Sequence, residues 1–450
     1  MELPLRVLFG NLLMIFGVGL ASAEEFEGVK YGFEEGSGVI TAERLGAYRL
    51  RLGFEPSSGS QRVLRVDLPE SGPKTWPIAD VRVVDMDGDP LAVRRPGIEW
   101  GKLTIPLASG IGGIVVEALE PEGGWPVRTS ARDRLIEDQA SGASVRISAW
   151  PGGRDAALSF RFDDSGPSHL DLVDPLLREH GFRGTFMVNP GPDEPGSRRR
   201  SAFQERLDDW KALAGRGDHE LANHTAHHRG AGSDEEMDAE IGLAAEIIRQ
   251  VAPHQRGIMA LNLGGGTTWT TTQTLRYYLE KHRQFDISGS LGMDDVYGGR
   301  IEAFRRHLET HLERGLWARV HYHGIGEGEG ASEANFRAAL AIAAEHWDRI
   351  WNAGMAEIHA YQTARDGARL TLLESGVEGM EFRVETSTNP HLYKVPLEIE
   401  GRFPAERQFV KVETSEGDEI ASSMVSKENT RILRFEIPPV TASYRLAYRP

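Results

Sequence analysis

The sequence predicts an α/β fold, a distorted (β/α) barrel flanked by N-terminal and C-terminal β-sandwich domains. Two observations predict it. From about Trp150 to Asp366 short apolar runs alternate with stretches of helical periodicity, the pattern of a parallel sheet with covering helices. On either side of that region the apolar period changes to two, with Pro, Gly and Asp-Gly punctuation, which is the pattern of small antiparallel sheets. The expected divisions are 1–23, 24–149, 150–366 and 367–450.

The first division is read as a signal peptide. Arg6 precedes the uncharged apolar run Val7 to Leu20, and Ala21-Ser22-Ala23 follows with small residues. A secreted or periplasmic location is therefore expected, with no stable membrane span after cleavage. In the second division Tyr48 to Leu52, Val63 to Leu68, Val81 to Val84 and Lys102 to Leu107 read as strands. In the third, Ala157 to Phe162 and Gly184 to Val188 read as strands. Leu170 to His180, Phe203 to Ala214, Asp234 to Val251 and Phe336 to Trp351 read as helices. In the last, strands are expected over 369–373, 380–385, 395–400, 409–413, 432–437 and 444–448.

Composition narrows the chemistry. The chain has no cysteine, so disulfides and thiolate metal sites are excluded and any metal ligands must be His, Asp or Glu. A net charge of -16 disfavours nucleic-acid partners, whose phosphates an acidic surface repels.

Three clusters carry the candidate chemistry. Asp163-Asp164 ends an apolar strand, where two adjacent carboxylates call for a cation or a proton. His224 and His228 are four residues apart, a spacing that puts two imidazoles on one face of a helix or tight turn. One carboxylate and two imidazoles suit a divalent ion with open positions. Arg319 to Gly326 holds His321, Tyr322 and His323 at the end of an apolar approach, and a strand-end histidine suits a general acid. Trp269 and Tyr322 are candidate platforms for a sugar ring, and His169 is a further candidate for substrate binding.

The segment Pro151 to Asp164, with Ser168 to Leu172 and Gly181 to Phe186, resembles the first motif of the polysaccharide deacetylases, the NodB-homology fold of carbohydrate esterase family four. Gly217 to His228 resembles the second motif, His323-Gly324-Ile325-Gly326 the late histidine motif, and Trp347 to Arg365 the closing helix. The resemblance implies a divalent metal, zinc in the first instance, held by Asp164, His224 and His228. It implies Asp163 as general base on the attacking water and His323 as the acid toward the leaving amine or alkoxide. A backbone N–H near Ser165 would support the oxyanion. It implies a polysaccharide or oligosaccharide substrate that loses N- or O-linked acetyl groups.

The sequence also departs from that pattern. Ser165 stands where the family usually has Gly, and could narrow the mouth of the site. The third motif usually carries an Arg that orients the base, and Ala260 to Thr267 has none. No clear fourth motif is present, although Asp286, Asp294 and Asp295 are candidates for its carboxylate. Two other readings therefore stand beside the first. One is a glycan-binding pseudoenzyme on the same fold. The other is a metal-dependent polysaccharide lyase with a His or Tyr base, for which Tyr322, His169, His227 and His321 are candidates.

Overall fold

The computed structural model describes residues 24–449 except 58–60, 123, 126–127, 140, 194–200, 288, 329, 377, 405–407 and 428–429. The expected signal peptide over 1–23 lies outside the described residues. The chain divides into two compact units, one of residues 1–95 and 99–119, the other of 96–98 and 120–450.

The first unit is antiparallel. The strands Glu24–Phe26, Val29–Glu35, Arg62–Asp67 and Lys102–Leu107 pair in that order, and Ile40–Gly46, Arg49–Phe54, Gly113–Ala118 and Val81–Asp85 form a second sheet. Alternate residues of both sheets enter one core, among them Leu52, Leu64, Val66, Val83, Ile105 and Val116. This is the outcome expected of strands with one wet face and one dry face.

The second unit is built on a parallel sheet. Its strands are β1 (Ala156–Asp163), β2 (Gly184–Val188), β3 (Glu220–Asn223), β4 (Met259–Leu261), β5 (Gln284–Asp286), β6 (Leu291–Gly292), β7 (Trp317–Tyr322) and β8 (Ile350–Asn352). The order is β5-β4-β3-β2-β1-β7-β6, with β8 on the first residues of β1. The sheet wraps round β1, and no ladder joins β5 to β6 among the described residues. It is a curled, open sheet rather than a closed barrel.

All eight residues of β1 are buried. Both faces of the strand are covered, although from Leu158 on it alternates apolar and polar residues. Leu158, Phe160 and Phe162 point outward under the helices. There Phe162 packs on Phe186, Tyr322 and Phe336, with ring centroids 5.3, 5.5 and 5.7 Å away. Ser159, Arg161 and Asp163 alternate with them and face inward.

The helix over Asp234–Val251, α1, starts where a capping box predicts. Ser233 accepts from the Glu236 N–H at 3.3 Å, and Asp234, Glu235 and Glu236 oppose the positive helix end. Met237, Ile241, Ala244, Ala245, Ile248 and Val251 form its buried stripe. The expected helix over 336–351 is displaced. It runs Glu333–Glu345, with Ser332 as its cap, and after a turn over 346–349 the chain enters β8.

The division expected at 149 also moves. Leu135–Asp138 and Ala143–Ile147 pair with each other and then with Leu397–Pro404, inside the C-terminal sheets. Those sheets share a core that includes Val145, Trp150, Phe382, Ile399 and Leu446. Among the described residues no helix is long and apolar enough to cross a membrane.

Phe162→Ala is expected to cost about 3–5 kcal/mol of stability, because the cavity would open between three rings that cannot collapse together. Urea unfolding measures it. A loss under about 1 kcal/mol would contradict this packing.

Candidate active site

The two carboxylates at the end of β1 part company in the backbone. Asp163 is the last residue of the strand and is 2% exposed. Asp164 follows with φ +76° and Ser165 with φ +57°. Thr225 (φ +67°) and His228 (φ +53°) share this left-handed conformation. These four are the majority of the six non-glycine residues with positive φ among those described. Strained backbone concentrated at one place, and held there by its surroundings, marks a built site.

The turn after β1 is braced from below. Ser165 is buried and its Oγ accepts from the Asn189 N–H at 2.9 Å. Asn189 Nδ2 in turn donates to the carbonyls of His224, at 2.5 Å, and Thr225, at 3.0 Å. Ser165 therefore points inward and ties the aspartate turn to the histidine turn. It does not narrow the mouth, as its place in the motif suggested.

His224 and His228 meet through an irregular turn rather than a helix. Asn223 Oδ1 accepts from the Thr225 N–H at 2.7 Å, and Thr225 Oγ1 accepts from the His228 N–H at 3.1 Å. His224 Nδ1 lies 3.0 Å from the Asn262 carbonyl. A carbonyl only accepts, so that nitrogen carries the proton and the Nε2 lone pair is free to ligate. His224 Nε2 is 3.4 Å and His228 Nε2 is 3.9 Å from Asp164 Oδ1.

The three ligand atoms of Asp164, His224 and His228 all lie within 4.8 Å of one another. The group fits a divalent cation: one carboxylate that is only partly buried, and two imidazoles with the right tautomer fixed on one of them. Burial pushes the Asp164 carboxyl up, but the hydrogen bond and charge of His224, with His228 and His323, hold it well below the usual carboxylate range. Burial and the neighbouring His224 push His228 down, toward the neutral form that ligates.

A second trio, Asp174, Asp218 and His219, is equally close. It is an ion-pair cluster. Arg216 reaches Asp174 at 2.5 Å and Asp218 at 3.3 Å. His219 Nδ1 accepts from the Gly184 N–H at 3.0 Å, so its Nε2 carries a proton and donates to Asp174 at 3.1 Å.

Asp163 turns to the inner face of the sheet. Its Oδ2 accepts from Arg161 Nη2 at 2.8 Å, while its buried Oδ1 has no hydrogen-bond partner. Burial pushes this carboxyl up. Arg161, then His224, His321 and His323, outweigh it and hold the group below its ordinary value.

His323 lies just past β7, with about half of its side chain exposed. Its Nδ1 donates to Asp294 Oδ2 at 2.5 Å, and its N–H donates to Asp294 Oδ1 at 3.1 Å. The hydrogen bond to Asp294 raises its pKa to about 9 against the opposing effect of burial, so the imidazole is protonated at neutral pH. Of the three carboxylates offered by the sequence, Asp294 is the one that meets the late histidine. Asp295 instead accepts from Ser332 and Asn335.

The three expected substrate contacts are corrected. Trp269 is fully buried with its Nε1 donating to Thr267 Oγ1 at 2.8 Å. Tyr322 is fully buried between Phe162 and Phe336. His169 is fully buried and donates from Nε2 to the His323 carbonyl at 2.7 Å, so it props the His323 backbone. None of them offers a face to a sugar. Of the remaining spare histidines, His227 is held by Glu240 at 2.7 Å and His321 by Ser290 at 2.8 Å.

Three residues escaped the sequence reading. Arg161 had a signal, since positions two apart on a strand share a face. Gly264 lies against His228, where a Cβ would stand 2.2 Å from Nε2. Tyr297 follows Asp294 by three residues and is half-exposed. Its ring touches Gly292, and besides burial the charges of Asp294 and Asp163 raise its hydroxyl pKa.

With this geometry in view, residues 150–279 match the family model for polysaccharide deacetylase. The matched segment holds β1 to β4, the aspartate pair and the histidine turn. No curated protein matches the chain.

Among solved structures the chain is similar to a family 4 carbohydrate esterase from Streptomyces lividans in complex with acetate. The two are 17% identical over 44% of this chain and 93% of that one, with a TM-score of 0.33. It is also similar to the peptidoglycan deacetylase PdaC from Bacillus subtilis, at 12% identity over 47% and 92%, TM-score 0.32. A third is a mutant CE4 family pseudoenzyme with restored enzymatic activity, at 12% identity over 45% and 66%, TM-score 0.34.

Gly264→Ala is expected to weaken zinc binding at least about tenfold, since the added methyl displaces His228 Nε2 and the residue sits at φ +84°. Calorimetric titration of the folded variant checks it. Unchanged affinity would remove His228 from the ligand set.

Proposed function

We propose that this chain is a divalent-metal-dependent hydrolase that removes acetyl groups from a polysaccharide. The observation that carries the reading is the convergence of Asp164, His224 and His228 on one point beside Asp163 and the His323–Asp294 pair. A divalent ion bound there, zinc in the first instance, supplies a Lewis acid for the acetyl carbonyl and lowers the pKa of water.

The chain's own residues divide the proton work. Asp163 is ionised, and its free Oδ1 takes the proton of the attacking water. His323 starts protonated and half-exposed, and gives its proton to the departing amine or alkoxide. Asp294 holds the ring in place and supports its charge. Tyr297, half-exposed beside Asp294, is the aromatic surface on which a sugar ring can lie. The apolar segment ahead of Ala21-Ser22-Ala23 supports export, where a polysaccharide substrate would be met.

Acetate release from acetylated glycans by the zinc-loaded full chain tests this reading. Asp163→Asn and His323→Ala are each expected to lose at least about 10²-fold in kcat. Wild-type rates in either variant would contradict the assigned roles.

The acid also sets a pH limit. The profile of kcat/KM is expected to fall as pH rises through about 9, where His323 loses its proton. In Asp294→Asn that limb is expected to move down toward the ordinary histidine range, because the hydrogen bond that raises the pKa is gone. A limb that stays in place would contradict His323 as the acid. Tyr297→Ala is expected to raise KM on a polymer with little change in kcat.

A further inference from the structure

An aspartate that accepts a proton must present a chosen oxygen, and a carboxylate at a strand end can rotate unless something holds it. Arg161 and Asp163 share the inner face of β1, two residues apart, and are 4% and 2% exposed. Arg161 is clamped at two points. Its Nη2 donates to Asp163 Oδ2 at 2.8 Å, and its Nη1 donates to the Ile287 carbonyl, just past β5, at 3.2 Å. The planar fork fixes both directions at once, which a lysine ammonium cannot do. One carboxylate oxygen is engaged and the other, Oδ1, is buried with no partner.

The segment that should have supplied an orienting cation is otherwise occupied. The Asn262 carbonyl takes the proton of His224 Nδ1, and Gly264 lies on His228. Thr267 Oγ1 bonds its own loop, to the Leu263 and Gly264 carbonyls. That loop serves the ligand side of the site, and the cation on Asp163 comes from β1 itself.

We propose that Arg161 is the positioning residue for Asp163, holding Oδ2 so that Oδ1 is the oxygen turned to the reacting water. The inference rests on the hydrolase reading and deepens it. It accounts for a working base in a chain whose third-motif segment has no arginine.

The test uses the full chain loaded with zinc, comparing wild type with Arg161→Met and Arg161→Lys. Arg161→Met is expected to keep its zinc affinity and a KM close to wild type, and to lose about 10²-fold in kcat, the scale of a misplaced catalytic group. Guanidinium ion below denaturing concentration is expected to restore part of that kcat in Arg161→Met and none in Asp163→Asn. A merely structural arginine would show neither the kcat-only loss nor this rescue. Crystal structures of wild type and Arg161→Met are expected to show the Asp163 carboxylate rotated in the variant.

Wild-type kcat in Arg161→Met overturns the proposal, and so does a carboxylate that has not moved. If wild type itself releases no acetate, the hydrolase reading fails separately, and the carboxylate's position in the two crystal structures still decides the role of Arg161. Should Arg161→Met not fold, Arg161→Lys carries the test. Reduced kcat supports the proposal, and wild-type kcat with Asp163 no longer touching residue 161 overturns it.

Discussion

Everything in the site follows from how β1 ends. Eight buried residues run up the middle of the sheet, and the last of them is a carboxylic acid. A buried carboxylate without partners is costly, so the fold has to surround it with positive charge and donors. It does so on two sides. Alternation along the strand sends Asp163 inward to Arg161, and the left-handed step at the next residue sends Asp164 toward His224 and His228. Two neighbouring acids are thereby given separate environments.

That division depends on backbone that most residues avoid. Asp and Ser accept a left-handed conformation at some cost, and here the cost is offset by hydrogen bonds between turns. Ser165, Asn189 and the carbonyls of His224 and Thr225 form one continuous brace. The loop after β4 completes it from the other side through the Asn262 carbonyl, which selects the tautomer of His224. The ligand geometry is therefore distributed over the ends of β1, β2, β3 and β4, none of which could hold it alone.

Much of this was legible in the sequence, and the reasons are local. The β1 strand, the helix from Asp234 to Val251, the aspartate pair and the spacing of His224 and His228 are all short-range patterns. What stayed hidden was set by contacts distant in the chain. Trp269 and Tyr322 carry the polar tips of pocket aromatics, yet burial depends on what packs over them. His169 looked free because its acceptor, the His323 carbonyl, is 154 residues away. The pairing of 135–147 with 397–404 moved a domain division for the same reason. Asp294 was one of three acids until the loop before α2 (Arg300–Arg314) placed it against His323. Arg161 is the exception. Its signal was local, two residues before Asp163 on the same strand face, whereas the expected cation belonged to the third motif in another loop.

The central claim is that two imidazoles and one carboxylate hold a metal at which acetyl groups are removed. X-ray absorption at the zinc edge, on the full chain loaded to one equivalent, tests the metal half of it most directly. The account predicts scattering from two imidazole rings, reduced to one in His224→Gln. A zinc shell without imidazole scattering, or one that His224→Gln leaves unaltered, would contradict it.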